Sequence, residues 1–333
     1  MRVSETRNQD VDQRSLSFDV GIPTFNRPEL LRGAISSVLS QSHHDLLVTV
    51  VDNGSAAETA AVLQQFDDPR VRVRRNPHTI PRTENYNIAL CAGTGDFVAI
   101  LADDDEWMPN FLARTAQVLN DHPDVSMVHT GYEAIDVTGE RLYVVEQPLP
   151  DAHLIVSGTD YIQRMLGGEH RIEFTATMLR RQSLPPGGFL AEDDVGDDIG
   201  LLLRVAIQGD VAFVNEPLVR VRFHDNTIST TGGNRLVGDR YVRSVGYRIK
   251  CTETKVRFIE ENAHNLPHHR RLRRIAKRSL RRHLLVSAAR ALRPPRDVRG
   301  ALRSAVTDTA LDRRALVDPR AWKQALAAYL DRA

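Results

Sequence analysis

The chain predicts an α/β fold, a mixed and mainly parallel sheet with flanking helices and a helical C-terminal extension, and three observations carry that prediction. Short apolar runs alternate with helix-length amphipathic segments from Phe18 onward. The runs are apolar on both faces, as strands covered by helices on both sides must be. Polar and acidic residues stand directly after three of them, and such sheets bind ligands beyond the carboxyl ends of their strands.

Residues 1–16 are polar, with mixed charges, and read as a disordered extension. Phe18–Ile22 reads as a strand. Pro28 opens a helix to Gln41 on which Leu30, Leu31, Ala34, Ile35, Val38 and Leu39 recur at helical spacing. Leu46–Val51 is a continuous apolar strand ended by the turn signal Asp52-Asn53-Gly54-Ser55. A helix over Ala56–Gln65, a strand over Val71–Arg75 and a helix over Glu84–Ala92 follow. The strand Phe97–Leu101, the helix Met108–Asn120 and the strand Val125–His129 complete the alternation. Val137–Val145 reads as a hairpin turning at Thr138-Gly139, and Phe174–Leu179 as a strand. Val195–Gln208 reads as a helix with Ile199, Leu202, Leu203 and Ala206 on one face. Val211–Val214 and Leu218–Phe223 read as two strands on either side of Asn215-Glu216-Pro217. Beyond Gly233 strand signals nearly vanish, and an Arg/Ala/Leu-rich helical stretch is broken at Pro294-Pro295 and Pro319. The expected organisation is an extension over 1–16, an α/β domain over 17–232 and a basic helical region over 233–333.

With 333 residues, 41% of them hydrophobic, the chain can bury a sizeable core, which excludes wholesale disorder. Cys91 and Cys251 are too few for a disulfide framework and point to a reducing compartment. The N-terminal stretch lacks the apolar segment of a secretory signal, and no run approaches the ~20 residues that cross a bilayer. A cytoplasmic protein is expected. The balance of 44 Lys and Arg against 43 Asp and Glu hides an asymmetry, because Arg270 to Arg303 holds thirteen basic residues and one acid, Asp297.

The apolar run Phe97–Leu101 leads straight into Asp103-Asp104-Asp105-Glu106. Hard divalent cations take oxygen ligands, and Mg²⁺ in particular is held by one or two carboxylates together with substrate phosphates. A single Asp there would suffice to cap the following helix; three carboxylates in a row favour a cation site. Glu192-Asp193-Asp194 and Asp197-Asp198 form a second acidic group at a helix start, where the helix dipole alone would also favour acids.

Taken in order, Asp19-Val20-Gly21-Ile22-Pro23-Thr24-Phe25-Asn26-Arg27, Val50-Val51-Asp52-Asn53-Gly54-Ser55, Asn87-Ile88-Ala89-Leu90 with Gly95-Asp96, and Leu101 to Trp107 resemble the motifs of family 2 glycosyltransferases, inverting nucleotide-sugar transferases of the GT-A fold. The resemblance covers about residues 18–230. It implies that Pro23, Thr24, Asn26, Arg27, Asn53 and Asn87 border the nucleotide, with Arg82 near the base or diphosphate. Asp52 would accept the N3–H of a uracil or thymine, whereas the bare N3 of cytosine would repel it. Asp103 takes the ribose or metal-adjacent position. Asp104 takes the metal position, joined by His224, with Mg²⁺ or Mn²⁺ as the cation. Asp197 and Asp198 match the acidic pair at a helix start, and Asp198 is assigned as the catalytic base, because an acceptor hydroxyl must lose its proton as the new bond forms. Glu192, Asp193 and Asp194 are its rivals in register. Ala102 stands where many members have Asp, and Asp197 where Glu is usual. The Gln-x-x-Arg-Trp motif of processive members is missing, so transfer of a single sugar, UDP- or dTDP-linked, to an acceptor hydroxyl is expected. The acceptor classes are a saccharide, a lipid-linked saccharide or a small molecule.

A sugar nucleotidyltransferase is the nearest enzymatic rival, but Pro23 to Arg27 lacks its Gly-rich phosphate loop; an inactive membrane-docking scaffold is the rival from another class. For the basic helix around Arg270–Arg282 three readings stand open. It packs its apolar stripe on the catalytic domain, with homodimerisation as a variant of that reading. It lies peripherally on the inner face of an anionic membrane. Or it binds nucleic acid, which the lack of interleaved aromatics argues against.

Overall fold

The computed structural model describes residues 16–146, 153–167, 173–223, 235–237, 240–242 and 245–291. The first half of the sheet forms as its apolar runs dictate. Strands β1 (Phe18–Thr24), β2 (Leu46–Asp52), β3 (Val71–Arg75) and β4 (Phe97–Ile100) pair in parallel in the order β3-β2-β1-β4. Every residue of β1 and β4 is buried, as double-sided cover requires. Helices α1 (Pro28–Leu39), α2 (Ala57–Leu63) and α3 (Arg82–Leu90) make the crossovers. Pro28, preset for helical φ, opens α1, which buries Leu31, Ala34, Ile35 and Val38.

The second half joins through an antiparallel strand. β5 (Glu106–Trp107), α4 (Phe111–Asp121), β6 (Val125–Ile135), β7 (Arg141–Val145), β8 (His153–Val156), α5 (Gly158–Gly167), β9 (Thr177–Arg180), α6 (Asp197–Ala206) and β10 (Asp210–Arg222) follow in sequence. The sheet order is β3-β2-β1-β4-β9-β6-β10-β5, with β7 on β6 and β8 on β10. β9 runs antiparallel to both β4 and β6, while β6 and β10 are parallel, so the sheet is mixed as expected. A small hairpin, β11 (Arg235–Val237) with β12 (Arg240–Val242), precedes helices α7 (Val245–Glu261) and α8 (His269–Ala291).

Two apolar layers result. Phe18, Ile22, Leu31, Trp107 and Phe111 pack in one. Leu90, Ile100, Tyr161, Phe189, Leu201 and Phe213 pack in the other, together with Phe258 of α7 and Leu272 and Leu280 of α8. The C-terminal helices therefore close the same core as α5 and α6.

Several elements differ from the sequence reading. β6 extends to Ile135, well past the expected His129, because Thr130 and Tyr132 are buried between neighbouring strands. The two strands expected around Pro217 are one, β10, whose register against β6 shifts on both sides of Pro217, the kind of irregularity in which a strand accommodates proline. The strand expected from Phe174 opens as a 3₁₀ turn, Phe174–Ala176, before β9. β5, β8 and α5 were not anticipated. The start of α5 is marked by a reciprocal cap, with Ser157 Oγ accepting the Asp160 N–H at 3.1 Å and donating to its carboxylate at 2.9 Å. Gly158 is required there, since a Cβ would lie 1.7 Å from the Ala206 carbonyl oxygen. The β11–β12 hairpin corrects the expectation of helix alone beyond Gly233. The N-terminal extension before Leu16 and the breaks at Pro294-Pro295 and Pro319 lie outside the described residues. Among the described residues no helix is long and apolar enough to cross a membrane.

Candidate active site

Because β2, β1 and β4 are neighbours, their carboxyl ends bring Asp52, Thr24 and Asp103 into one row; Thr24 and Asp52 are register partners. Asp52 is fully buried. Its Oδ1 accepts the Ser55 N–H at 2.9 Å, the turn being completed by Gly54 at φ +77°. Its Oδ2 is buried and finds no hydrogen-bond donor among the described residues, with Arg75 Nη1 at 3.6 Å as the nearest cation. A buried carboxylate oxygen left so is costly, and its neighbours hold it in place. Asn53 donates to the Ile80 carbonyl at 2.9 Å and accepts from Ile80 N–H and Asn76 Nδ2, both at 3.0 Å, so its side chain fastens the loop over the strand end. Asn26, at φ +55°, links the first two strand-end loops by donating its N–H to Ser55 Oγ at 2.9 Å and accepting the Ala56 N–H at 2.8 Å. Pro23 is buried within β1.

At the third strand end Thr24 donates to Asp103 Oδ2 at 2.7 Å. Arg27 Nη1 donates to Asp103 Oδ1 at 3.0 Å and to Asp104 Oδ2 at 2.7 Å. Burial, and then the neighbouring Asp104 charge, push the Asp103 carboxyl up to about 6 against the pull of Arg27 and Thr24. Asp105 points elsewhere, accepting the Arg222 N–H at 2.8 Å, and burial holds its carboxyl well above the usual range. One guanidinium nitrogen lying between two carboxylates marks a point of converging negative charge, which suits a divalent cation in chemistry and in donor type. Among the described residues no three His, Cys, Asp or Glu side chains form a ready metal cage, so such an ion would draw further oxygens from its substrate. His224 lies outside the described residues.

The second acidic group meets the first across α3. A 3₁₀ segment, Ala191–Gly196, leads into α6, whose first residues are Asp197 and Asp198. Asp197 is buried and accepts from Arg82 Nη2 at 2.5 Å and from Thr83 Oγ1 at 3.3 Å; burial raises its carboxyl and the Arg82 charge opposes that. Asp198 is half-buried beside it, and its N–H donates to Asp197 Oδ1 at 2.9 Å. Arg82 stacks over the Tyr86 ring, 5.1 Å from its centroid. The Tyr86 phenol, pushed up by burial, lies in the fields of Arg82, Asp103, Asp104 and Asp197 together. Both acidic clusters, far apart in sequence, thus converge on one side chain. Asn87, one position along α3, binds the Phe189 backbone through both amide atoms, at 2.9 and 2.8 Å, and so ties the segment before α6 to α3.

The register rivals separate cleanly. Asp193 is buried and paired with Arg204 at 2.8 Å and Arg257 at 3.0 Å, Asp194 pairs with Lys250 at the surface, and Glu192 is exposed. Behind Asp198 a buried chain runs from Thr177 to His129 Nδ1 at 2.7 Å and from His129 Nε2 to the Tyr161 hydroxyl at 3.1 Å, and the Asp198 charge reaches that phenol. Sequence reading missed Tyr86, Thr83 and Arg75; the i, i+4 spacing of Arg82 and Tyr86 on α3 was the available signal.

The model of Glycosyl transferase family 2 matches residues 19–185. An uncharacterised glycosyltransferase of Rickettsia typhi is 26% identical over 249 residues, 73% of this chain and 75% of that protein. The GalNAc(5)-diNAcBac-PP-undecaprenol beta-1,3-glucosyltransferase of Campylobacter jejuni is 38% identical over 108 residues, 31% of this chain and 35% of its own. Among solved structures, S. aureus TarS 1-349 superposes with a TM-score of 0.62 at 15% identity, covering 88% of this chain and 80% of that one, a likeness of fold. With the family matched over half its length and the GT-A architecture in place, the chain belongs to glycosyl transferase family 2 and is a glycosyltransferase.

Proposed function

We propose that the protein transfers one sugar from a uridine or thymidine diphosphate sugar to an acceptor hydroxyl by a single displacement that inverts the anomeric centre. The place of Tyr86 carries this reading: its ring lies under the Arg82 guanidinium that holds Asp197, and its phenol lies in the fields of Asp103, Asp104 and Asp197, which supports a donor-side carboxylate pair and a helix-start carboxylate acting together. The Asp52 oxygen without a hydrogen bond supports the nucleotide class: it accepts an imide N–H and repels a ring nitrogen with a lone pair. TarS has been solved with UDP and with UDP-GlcNAc, which agrees with a uridine donor.

Asp104, with Asp103 beside it, would hold Mg²⁺ or Mn²⁺, which when bound neutralises charge growing on the departing diphosphate. Arg27 adds positive charge at the same place. Asp198 takes the acceptor hydroxyl proton as the oxygen bonds to the anomeric carbon, and the electron pair of the broken bond leaves with the nucleoside diphosphate. Asp197, held by Arg82 and Thr83, orients the start of α6 and hence its neighbour. Residues 17–232 form the catalytic unit in this proposal. The acceptor offers a free hydroxyl, and a lipid-linked saccharide is the class that the Campylobacter relative's name specifies.

The test is Asp198→Asn, assayed with a panel of nucleotide sugars by mass spectrometry and by calorimetric titration of uridine diphosphate. Transfer is expected to vanish while nucleotide binding is kept. Wild-type turnover in the variant would reject Asp198 as the base.

A further inference from the structure

Helix α8 has one apolar face and one face of arginine. At about 100° per residue, Leu272, Ala276 and Leu280 fall together, and all three are buried in the core. Arg270, Arg271, Arg274, Arg278, Arg281 and Arg282 fall within an arc of roughly 120° centred opposite them. All six are exposed. The flanking Arg273 and Lys277 are both paired with Glu260 of α7, whereas none of the six has a carboxylate partner among the described residues.

Nothing among the described residues uses this arrangement. The first turn of α8 contains no acid, so Arg270, Arg271, Arg273 and Arg274 crowd the end of the helix where the backbone dipole already disfavours cations. Arg270, Arg274, Arg278 and Arg282 follow at i, i+4 spacing and repel one another. Helix α7, packed against α8, shows the ordinary solution: Lys250, Lys255 and Arg257 alternate with Glu253, Glu260 and Glu261. A helix anchored through its apolar stripe tolerates such like-charge crowding, and an anionic partner on the outer face removes it.

The partner's shape follows from the helix. From Arg270 to Arg282 the row runs about 18 Å along one convex helix surface, with no Phe, Tyr or Trp among those positions to stack on a base. The row begins at a shallow depression of about 310 Å³ lined by His268, His269, Arg270, Arg271 and Arg274, so positive charge continues around the helix end. Just past the described residues, the stretch 292–303 stays basic, with Arg293, Arg296, Arg299 and Arg303 against Asp297 alone. Guanidinium groups in a straight exposed row match a plane of phosphate headgroups. We propose that the outer arginine face of α8 docks the protein on a bilayer carrying anionic phospholipid. The inference deepens the lipid-linked acceptor reading, because docking would bring the cleft to an acceptor held in that bilayer.

The test is co-sedimentation of the full chain with vesicles of phosphatidylcholine alone or with phosphatidylglycerol added. Binding at least ~10-fold tighter to the anionic vesicles is expected, and its loss in about 1 M salt, where screening shrinks to ~3 Å. Arg274→Glu/Arg278→Glu/Arg282→Glu together should weaken it at least ~10-fold, with circular dichroism and transfer to a soluble acceptor unchanged. The triple Gln variant replaces it should the Glu variant not fold. Equal binding to both vesicles, or undiminished binding of the variants, overturns the proposal, as does release from the vesicles by a DNA duplex at matched charge, which would make nucleic acid the occupant. Loss of docking with soluble transfer intact, or loss of transfer with docking intact, keeps this inference and the active-site reading separately decidable.

Discussion

Asp52 and Asp193 are both buried carboxylates, and the protein treats them in opposite ways. Asp193 receives Arg204 from α6 and Arg257 from α7, one on each oxygen, and ties those helices together. Asp52, at the end of β2, has one oxygen satisfied by the Ser55 N–H and the other without a hydrogen bond, facing only a more distant and exposed Arg75. A buried acid compensated on both oxygens belongs to the scaffold, where removing it strands its partners. A buried acid left open at a strand end costs the fold stability, and under the proposed function that oxygen is held for a ligand. At the helix start Asp197 is buried and clamped by Arg82 and Thr83, while Asp198 next to it is the less buried of the two and accepts the Ile199 N–H at 2.7 Å.

The largest expected effect separates neighbours in one cluster. Asp198→Asn should lower turnover by about 10³-fold or more, the weight of a lost general base, with the melting temperature unchanged. Asp193→Ala should do the reverse, costing about 3–5 kcal/mol of stability, as breaking a buried ion pair does, while activity per folded molecule is kept. Urea melts and steady-state kinetics on both variants check the pair; a kinetic defect in Asp193→Ala at full stability would break the contrast. A smaller effect concerns pH. Burial, and then the Asp104 charge, push the folded Asp103 carboxyl up to about 6, above the ordinary carboxylate value. Its contribution to stability is therefore present below about pH 4 and lost as pH rises through about 6. Wild type should lose stability relative to Asp103→Asn across that window, by no more than about 3 kcal/mol, and a flat difference would contradict the burial of this group.

The first half of the fold was legible because β4 is an unbroken apolar run, β1 and β2 are mostly apolar, with Asp19 and Thr49 as polar interruptions, and each is closed by turn or acidic residues. β8 was not, since His153–Val156 is short and only half-buried, and α5 begins at a glycine chosen for its close approach to Ala206. β6 was read short because its second part includes polar residues that neighbouring strands bury. At the site, acids placed directly after strands and at a helix start were conspicuous, so Asp52, Asp103, Asp104, Asp197 and Asp198 could be singled out. For Tyr86 only its i, i+4 spacing to Arg82 was on the page; its place in the fields of both acidic clusters arises from segments far apart in the chain. The motif residues Asn53 and Asn87 look like ligand-binding groups in sequence, yet their amides fasten Ile80, Asn76 and Phe189.

The most direct measurement is calorimetric titration of uridine and cytidine diphosphates into wild type and Asp52→Asn, with Mn²⁺ present. A charge-assisted hydrogen bond from the base N3–H to a buried carboxylate corresponds to about 1.5–3 kcal/mol, so wild type should bind uridine diphosphate roughly 10- to 100-fold more tightly than cytidine diphosphate, and the variant should lose most of that difference without losing stability. Equal affinities in wild type, or a preference that survives the substitution, would contradict the reading of the open Asp52 oxygen as the group that selects the base.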